Sequence, residues 1–415
     1  MGLEPARTAG GGSAALERFL WSVLDRPVVQ LTLLAVSAAL LFVTGVIGVG
    51  RPNSGFLGGG IDFDFFYYAG RMWLKGESPY DVTAFLAEHP SQSSFAYPPF
   101  VFVPCVFWAL FPHDVAEFGM QLLSFAAAVV IVAGAVELAE PSDRLQRRRM
   151  LVLTAVLVLS SPFTSHVLWL GQSSLVGAAL VVGAFVCYRR GWLVGAGMLA
   201  ALALSKPQLS LLPVLWLTAG LNKRFLLSLA ATACVLVVPP VLMTGPVEFV
   251  GQYLNSVQAY QTSHLADISF RHTFGLRSFA DSLGFDAPSL APVAFALAVV
   301  AYRYRNRFRT QADVLAYLLV VSLLFVYAHD YDIAVAAPLI PALYRHARVD
   351  LRTGIALLLG VLLLYFPTRF LVPLDIPWLL RYRELTCLGY LVVLVALNWY
   401  EARARSDGQP AANTA

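Results

Sequence analysis

Apolar residues in this chain come in long blocks separated by short polar joints. The first block, Val28 to Gly48, is about 20 residues, enough for a helix to cross roughly 30 Å of hydrocarbon. Further runs follow at Pro98–Phe111, Glu117–Leu138, Leu151–Leu168, Ser173–Tyr188, Trp192–Leu204, Leu209–Leu221, Phe225–Met243, Leu290–Tyr302, Ala312–Tyr327, Ile333–Tyr344, Leu351–Phe366 and Leu385–Trp399. The pattern predicts an all-α polytopic membrane protein.

The joints alternate in charge. Arg144/Arg147/Arg148/Arg149, Arg189/Arg190, Lys223/Arg224, Arg303/Arg305/Arg307/Arg309, Arg345/Arg348/Arg352 and the tail Arg403/Arg405 are basic. The intervening joints Ser165–Gln172, Ser205–Gln208, Thr244–Ser289, His329–Asp332 and Pro367–Glu384 are less so. Short basic loops stay cytoplasmic, so both termini are expected inside and the second set outside. The last outer joint, with Arg369, Arg381 and Arg383, fits least well.

Counting back from Arg149, one of the first runs must fail to cross. Pro98–Phe111 is short and interrupted by Pro98, Pro99 and Pro104, so it is read as a re-entrant or interfacial helix, leaving about twelve spans. In the alternative it crosses and the loop near Arg149 breaks the charge rule. The expected organisation is a cytoplasmic tail (1–27), a membrane domain (28–400) and a second cytoplasmic tail (401–415). Within the domain lie two long outer loops, 49–112 and 244–289. The first helix reads as retained, since no small-residue cleavage site follows it.

Composition agrees: of 415 residues 58% are hydrophobic and 13% charged, against about 25% charged in soluble domains. The +4 net charge lies in the joints, a topology signal with no groove for nucleic acid. The four cysteines, Cys105, Cys187, Cys234 and Cys387, lie in or beside apolar stretches and read as small buried hydrophobes. No Gly-rich phosphate loop, CxxC or HExxH occurs, which leaves nucleotide-driven chemistry and zinc hydrolysis without support.

The polar chemistry concentrates in the first outer loop, GIDFDFFYYAGRMWLKGESPYD (Gly60–Asp81). Phe65, Tyr68, Met72 and Trp73 fall at helical spacing, so a short interfacial helix is expected, closed by Lys75-Gly76 and followed by a turn at Ser78-Pro79-Tyr80-Asp81. A carboxylate where the first span ends, Asp62 or Asp64, is placed to act as a general base with a pKa raised by partial desolvation. Equally, either Asp could simply cap the helix.

Asp-Phe, an aromatic pair, Ala-Gly-Arg, then Leu-x-Gly-x-x-Pro-Tyr-Asp resembles the signature loop of glycosyltransferase family 87, which includes polyprenyl-phosphate-mannose-dependent mannosyltransferases. Tyr97-Pro98-Pro99, Gly171-Gln172, Lys206-Pro207 and Tyr331-Asp332 follow in the order this resemblance implies. It implies a GT-C-type helical bundle with its active site on the outer face. The donor would be a polyprenyl-phosphate sugar, transferred with inversion by one catalytic Asp, matching Asp62 with Asp64 as second choice.

On that footing Lys206, His329, Arg271 and His272 are candidates to bind the donor phosphate. Snorkelling to headgroups is the bland alternative for Lys206, and a headgroup-touching loop for Arg271, His272 and Arg277. Tyr67, Tyr68, His166, Gln172, Asp330 and Asp332 are candidates for sugar or acceptor contacts, with Asp332 positioning His329. His329 and the carboxylates beside it could in principle hold Mg or Mn, but enzymes of the resembling type need no metal, and neither metal nor cofactor is expected.

The expected function is transfer of a sugar, mannose first, from a lipid-linked donor to an extracytoplasmic lipid or glycan by a monomer in the plasma membrane. The competing reading is a secondary transporter or flippase of a lipid-linked or anionic substrate. Transporters tend to carry internal repeats and midplane broken helices, which the sequence lacks. Asp62, Lys206 and His329 within one outward cavity would favour the enzyme, and scattered residues would favour transport.

Overall fold

The computed structural model describes residues 21–51, 58–89, 93–263, 273–347, 351–374 and 376–406. Within them the helices are α1 (Pro27–Leu41, extended by a π-turn Phe42–Val46), α2 (Ile61–Lys75), α3 (Val82–Glu88), α4 (Phe102–Ala109), α5 (His113–Leu138) and α6 (Arg144–Leu159). Next come α7 (Pro162–Leu170), α8 (Ser174–Arg189), α9 (Leu193–Ala203), α10 (Pro207–Thr218), α11 (Lys223–Thr244) and α12 (Pro246–Gln261). The last are α13 (Leu276–Ser282), α14 (Ala291–Arg303), α15 (Gln311–Phe325), α16 (Leu339–Ala347), α17 (Leu351–Tyr365) and α18 (Tyr382–Ser406).

Four of these stretches are long and apolar enough to cross a membrane: Pro27–Val46, His113–Leu138, Lys223–Thr244 and Pro377–Arg403. The pair α6 and α7, bent by 55° at their junction, makes a fifth if taken as one span. Leu227, Val235 and Leu242 along α11 are 64–72% exposed, an apolar face that water would not tolerate and lipid would. The chain is therefore a helical membrane protein. Several shorter apolar helices, including α8, α9, α14 and α15, accompany the long ones.

At the centre is α15, apolar on every side, in which each residue from Ala312 to Leu324 is buried. A helix without a polar face has no surface to offer and goes to the middle. α10, α16 and α18 pack around it.

The predicted run Pro98–Phe111 forms a 3-10 turn (Pro99–Val101) leading into α4. Its 11 residues reach about 17 Å, too short to cross alone. It lies along α2, and the contact is backbone to backbone: a Cβ on Gly70 would stand 2.1 Å from the Cys105 carbonyl oxygen.

Three expectations need correcting. The run Leu151–Leu168 is not one helix: it breaks at Ser160–Ser161, where Ser161 Oγ caps α7 and Pro162 takes its first position. Ile333–Tyr344 also divides, into a 3-10 segment (Asp330–Ala336) and α16, because Pro338 has no amide hydrogen to continue the helix. The segment read as the second long loop holds α12, α13 and a two-residue strand β1 (Thr273–Phe274). Polar residues spread along α12 hide it from a hydropathy reading. β1 pairs antiparallel with β2 (Ala328–His329), Thr273 opposite His329.

Candidate active site

Asp62 is delivered by a glycine run and a helix start. Gly60 caps α2 in the left-handed region (φ 75°) and Asp62 falls in the first turn, so neither Asp62 nor Asp64 is the N-cap. The run lies flat on the end of α7: Gly60 N–H donates to the Trp169 carbonyl at 2.9 Å, and a Cβ on Gly59 would meet the same oxygen at 2.1 Å. On the other side, Glu117 of α5, 3% exposed, fills the space a Gly60 side chain would need.

α7 ends at Gly171, again left-handed (φ 65°), which turns Gln172 back towards α2. Gln172 Oε1 accepts the Ser173 N–H at 2.8 Å, and this fixes the orientation of the amide. Its Nε2 then faces Asp62 Oδ2 at 2.9 Å and the hydroxyls of Tyr97 and Tyr331, both at 3.1 Å. Two hydrogens are shared among three oxygens, and the charged, closest one has the first claim.

Burial pushes the Asp62 carboxyl up to about 6; the Lys206 ammonium and the Gln172 hydrogen bond act against that rise, while the charges of Asp332 and Asp64 add to it. A carboxylate in this range is ionised near neutral pH yet basic enough to accept a proton. Burial also pushes the phenols of Tyr97 and Tyr331 well above their usual range, so both stay protonated as donors.

Behind Tyr331 lies a buried ion pair. Lys206, at the break between α9 and α10, has its Nζ 2.8 Å from Asp332 Oδ1 and donates to Ser174 Oγ. Ser174 in turn donates to Asp332 at 2.6 Å, and the other Asp332 oxygen accepts the His329 backbone N–H at 3.1 Å. Lys206 is 2% exposed and Asp332 fully buried, so every strong partner each needs is internal. Lys206 Nζ also lies 5.2 Å from the Tyr331 ring centroid.

The His329 ring stacks on Tyr331 at 5.1 Å, and its Nε2 is 3.2 Å from the Tyr327 hydroxyl. His166 meets the same Tyr331 ring edge-on at 5.6 Å. Asp62, Gln172, Lys206, His329, His166 and Asp332 therefore converge around Tyr331. Asp330 turns aside to Arg383, 3.5 Å away.

The other half of α2 forms a second group. Asp64 Oδ1 pairs with His113 Nε2 at 2.7 Å, Tyr68 stacks on His89 at 4.8 Å, and Tyr67 donates to the Phe111 carbonyl. Asp64 thus faces away from Gln172. Arg271 and His272 lie outside the described residues.

Three contributors escaped the sequence reading. Tyr97 stood in a motif without a role. Ser174 was one more small residue in an apolar run. Arg383 was visible only as a misfit in an outer joint. Among the described residues no cluster of three or more His, Cys, Asp or Glu side chains could hold a metal ion.

A bundle of membrane helices with a desolvated carboxylate near a buried cation fits a membrane enzyme. The profile of glycosyltransferase family 87 matches residues 95–328, more than half of the chain, and the protein belongs to that family of glycosyltransferases. The match includes Tyr97, Gln172, Ser174 and Lys206; the Asp62 loop precedes it and His329 follows its last residue. No curated protein matches the chain.

Proposed function

We propose that this glycosyltransferase moves a sugar, mannose first, from a polyprenyl phosphate to a hydroxyl of an extracytoplasmic lipid or glycan. Asp62 is the general base. It takes the proton of the acceptor hydroxyl, whose oxygen attacks the anomeric carbon from the face opposite the phosphate. The bond from anomeric carbon to phosphate oxygen breaks, polyprenyl phosphate leaves, and the configuration inverts. Cationic side chains offset the charge of the departing phosphate, so the scheme needs neither metal nor cofactor.

The observation that carries this reading is the Asp62–Gln172 pair within reach of Tyr97 and Tyr331. The pair orients a carboxylate and tunes it for proton transfer near neutral pH. In this scheme Lys206 acts through Asp332, holding the segment that carries His329 and Tyr331, and His329 is the candidate for contact with the donor phosphate. His166 and Gln172 face the sugar, and Tyr67 and Tyr68 the acceptor. The chain works as a monomer in the plasma membrane, with about twelve crossings, both termini cytoplasmic and the site on the outer face.

The test is a mass-spectrometric comparison of envelope glycolipids and glycans with and without the gene. A glycoform that disappears, and returns with the wild type but not with Asp62→Asn, identifies sugar and acceptor together. An unchanged profile would sink the proposal.

A further inference from the structure

A cavity of about 330 Å³ lies apart from the Asp62 cluster, between α6, α16, α17 and α18. Its lining is almost wholly apolar, from Trp21 and Leu343 at one end to Phe163, Ile333 and Leu364 at the other. Ile355 and Leu358, on its wall, are each 48% exposed, so it opens sideways where lipid would be. Ile333 is the residue after Asp332, and Phe163 belongs to the same half-helix as His166. One end of the cavity therefore abuts the site.

That end is capped by arginine. The Arg383 guanidinium lies 4.9 Å over the ring of Phe163, its Nε donates to the Leu364 carbonyl, and its Nη1 is 3.5 Å from Asp330. Arg51, from the outer end of the first span, donates to Ser165 Oγ at 3.0 Å, beside His166, and also feels the charge of Asp330. Arg381, 7% exposed, is 3.6 Å from Glu384. Among the described residues these guanidiniums lie near Asp330 and Glu384. Arg383 Nη2 also donates to the Phe366 carbonyl at 3.0 Å and Arg381 to that of Thr273, and the Arg383–Asp330 contact is long for an ion pair.

We infer that this is the seat of the lipid-linked substrate: Arg383 and Arg51 bind its phosphate, and the first isoprene units of its tail lie in the apolar cavity below. The inference rests on the proposed donor class. An apolar slot open to the bilayer suits a hydrocarbon tail, and guanidiniums at its mouth suit an anionic head. A guanidinium fork matches phosphate oxygens and is desolvated more cheaply than an ammonium. Lys206 is closed in by Asp332 and Ser174 while Arg51 stays partly exposed, which gives the head-group role to Arg51 with Arg383 beside it. The misfit of Arg381 and Arg383 with the cytoplasmic preference of basic residues has the same explanation: they serve a ligand.

The test reads binding, so that it succeeds or fails apart from sugar transfer. Wild type, Arg51→Gln, Arg383→Lys and Ala337→Trp, which would plug the cavity, are placed in phosphatidylcholine nanodiscs. Each is titrated with labelled decaprenyl phosphate, decaprenol and geranyl phosphate. Wild type should hold decaprenyl phosphate about tenfold or more tightly than decaprenol, and each arginine variant should lose about that factor. Ala337→Trp should weaken decaprenyl phosphate while leaving the short geranyl phosphate unchanged.

Arg51→Gln keeps the test decisive if Arg383→Lys does not fold. Unchanged affinity in Arg51→Gln and Ala337→Trp overturns the inference, as does equal competition by phosphatidylglycerol. If binding follows this pattern but no sugar is transferred, the site stands and the transfer reading falls.

Discussion

Gln172 donates to Asp62 at 2.9 Å across 110 residues of sequence, and the same amide nitrogen faces the hydroxyls of Tyr97 and Tyr331. The bond favours the ionised carboxyl and so works against the burial that raises it to about 6. A base acts when deprotonated, so the rate should rise with pH through about 6 in the wild type. Gln172→Met removes the donor at similar volume. The acid limb of the pH–rate profile should then move to higher pH by about one unit. An unmoved limb would show that Gln172 does not tune Asp62.

The same shift makes a prediction about stability. A carboxyl whose folded pKa is raised binds protons more tightly in the native state, so stability falls as pH rises from the ordinary carboxyl range through about 6. Asp62→Asn escapes that loss. Above about pH 7 the variant should unfold at higher temperature than wild type, by up to about 2 kcal/mol after allowing for partial exposure of the residue. Near pH 4 the difference should vanish. Thermal unfolding in detergent at both pH values checks this, and also shows whether the inactive variant is folded.

Lys206 and Asp332 are buried together, and removing one leaves the other charge uncompensated. Lys206→Met should destabilise the protein by about 3 kcal/mol or more, and the double variant Lys206→Met/Asp332→Leu should recover much of that. Additive losses in the double variant would mean the pair is not coupled.

Gly70 lets α2 and α4 touch through their backbones. Gly70→Val should force them apart, costing about 1–3 kcal/mol and loosening the helix that carries Asp62. Unfolding temperature and transfer rate should fall together.

A reporter fused at His113 should register outside the cytoplasm, because the segment before it is too short to cross alone. A cytoplasmic signal would place the Pro98–Phe111 run across the bilayer.

Much of this architecture was legible in the sequence because hydrocarbon imposes long apolar blocks and glycine and proline mark their ends. The helix bearing Asp62 ends at Lys75 with Gly76 behind it, as its pattern requires. Asp62 stood out in the polar first outer loop, Gln172 and Lys206 in the order of the motifs, and Asp332 in the charged joint His329–Asp332. What stayed hidden was pairing across distant elements. No spacing rule ties Gln172 to Asp62, closes Lys206 with Asp332 and Ser174, or turns Asp64 to His113. Hydropathy also mistook α12 for a loop, since its polar residues mask a helical period, and it read through the serine break that creates α7 and aims Gln172.

The account rests on Asp62 as the base, and transfer kinetics of purified wild type and Asp62→Asn with a polyprenyl-phosphate-mannose donor test it most directly. The account predicts a fall in kcat of about 10²–10⁴ in the variant, with donor KM little changed and the acid limb near pH 6 abolished. A variant that keeps more than about a tenth of the wild-type rate, with the same limb, would contradict it.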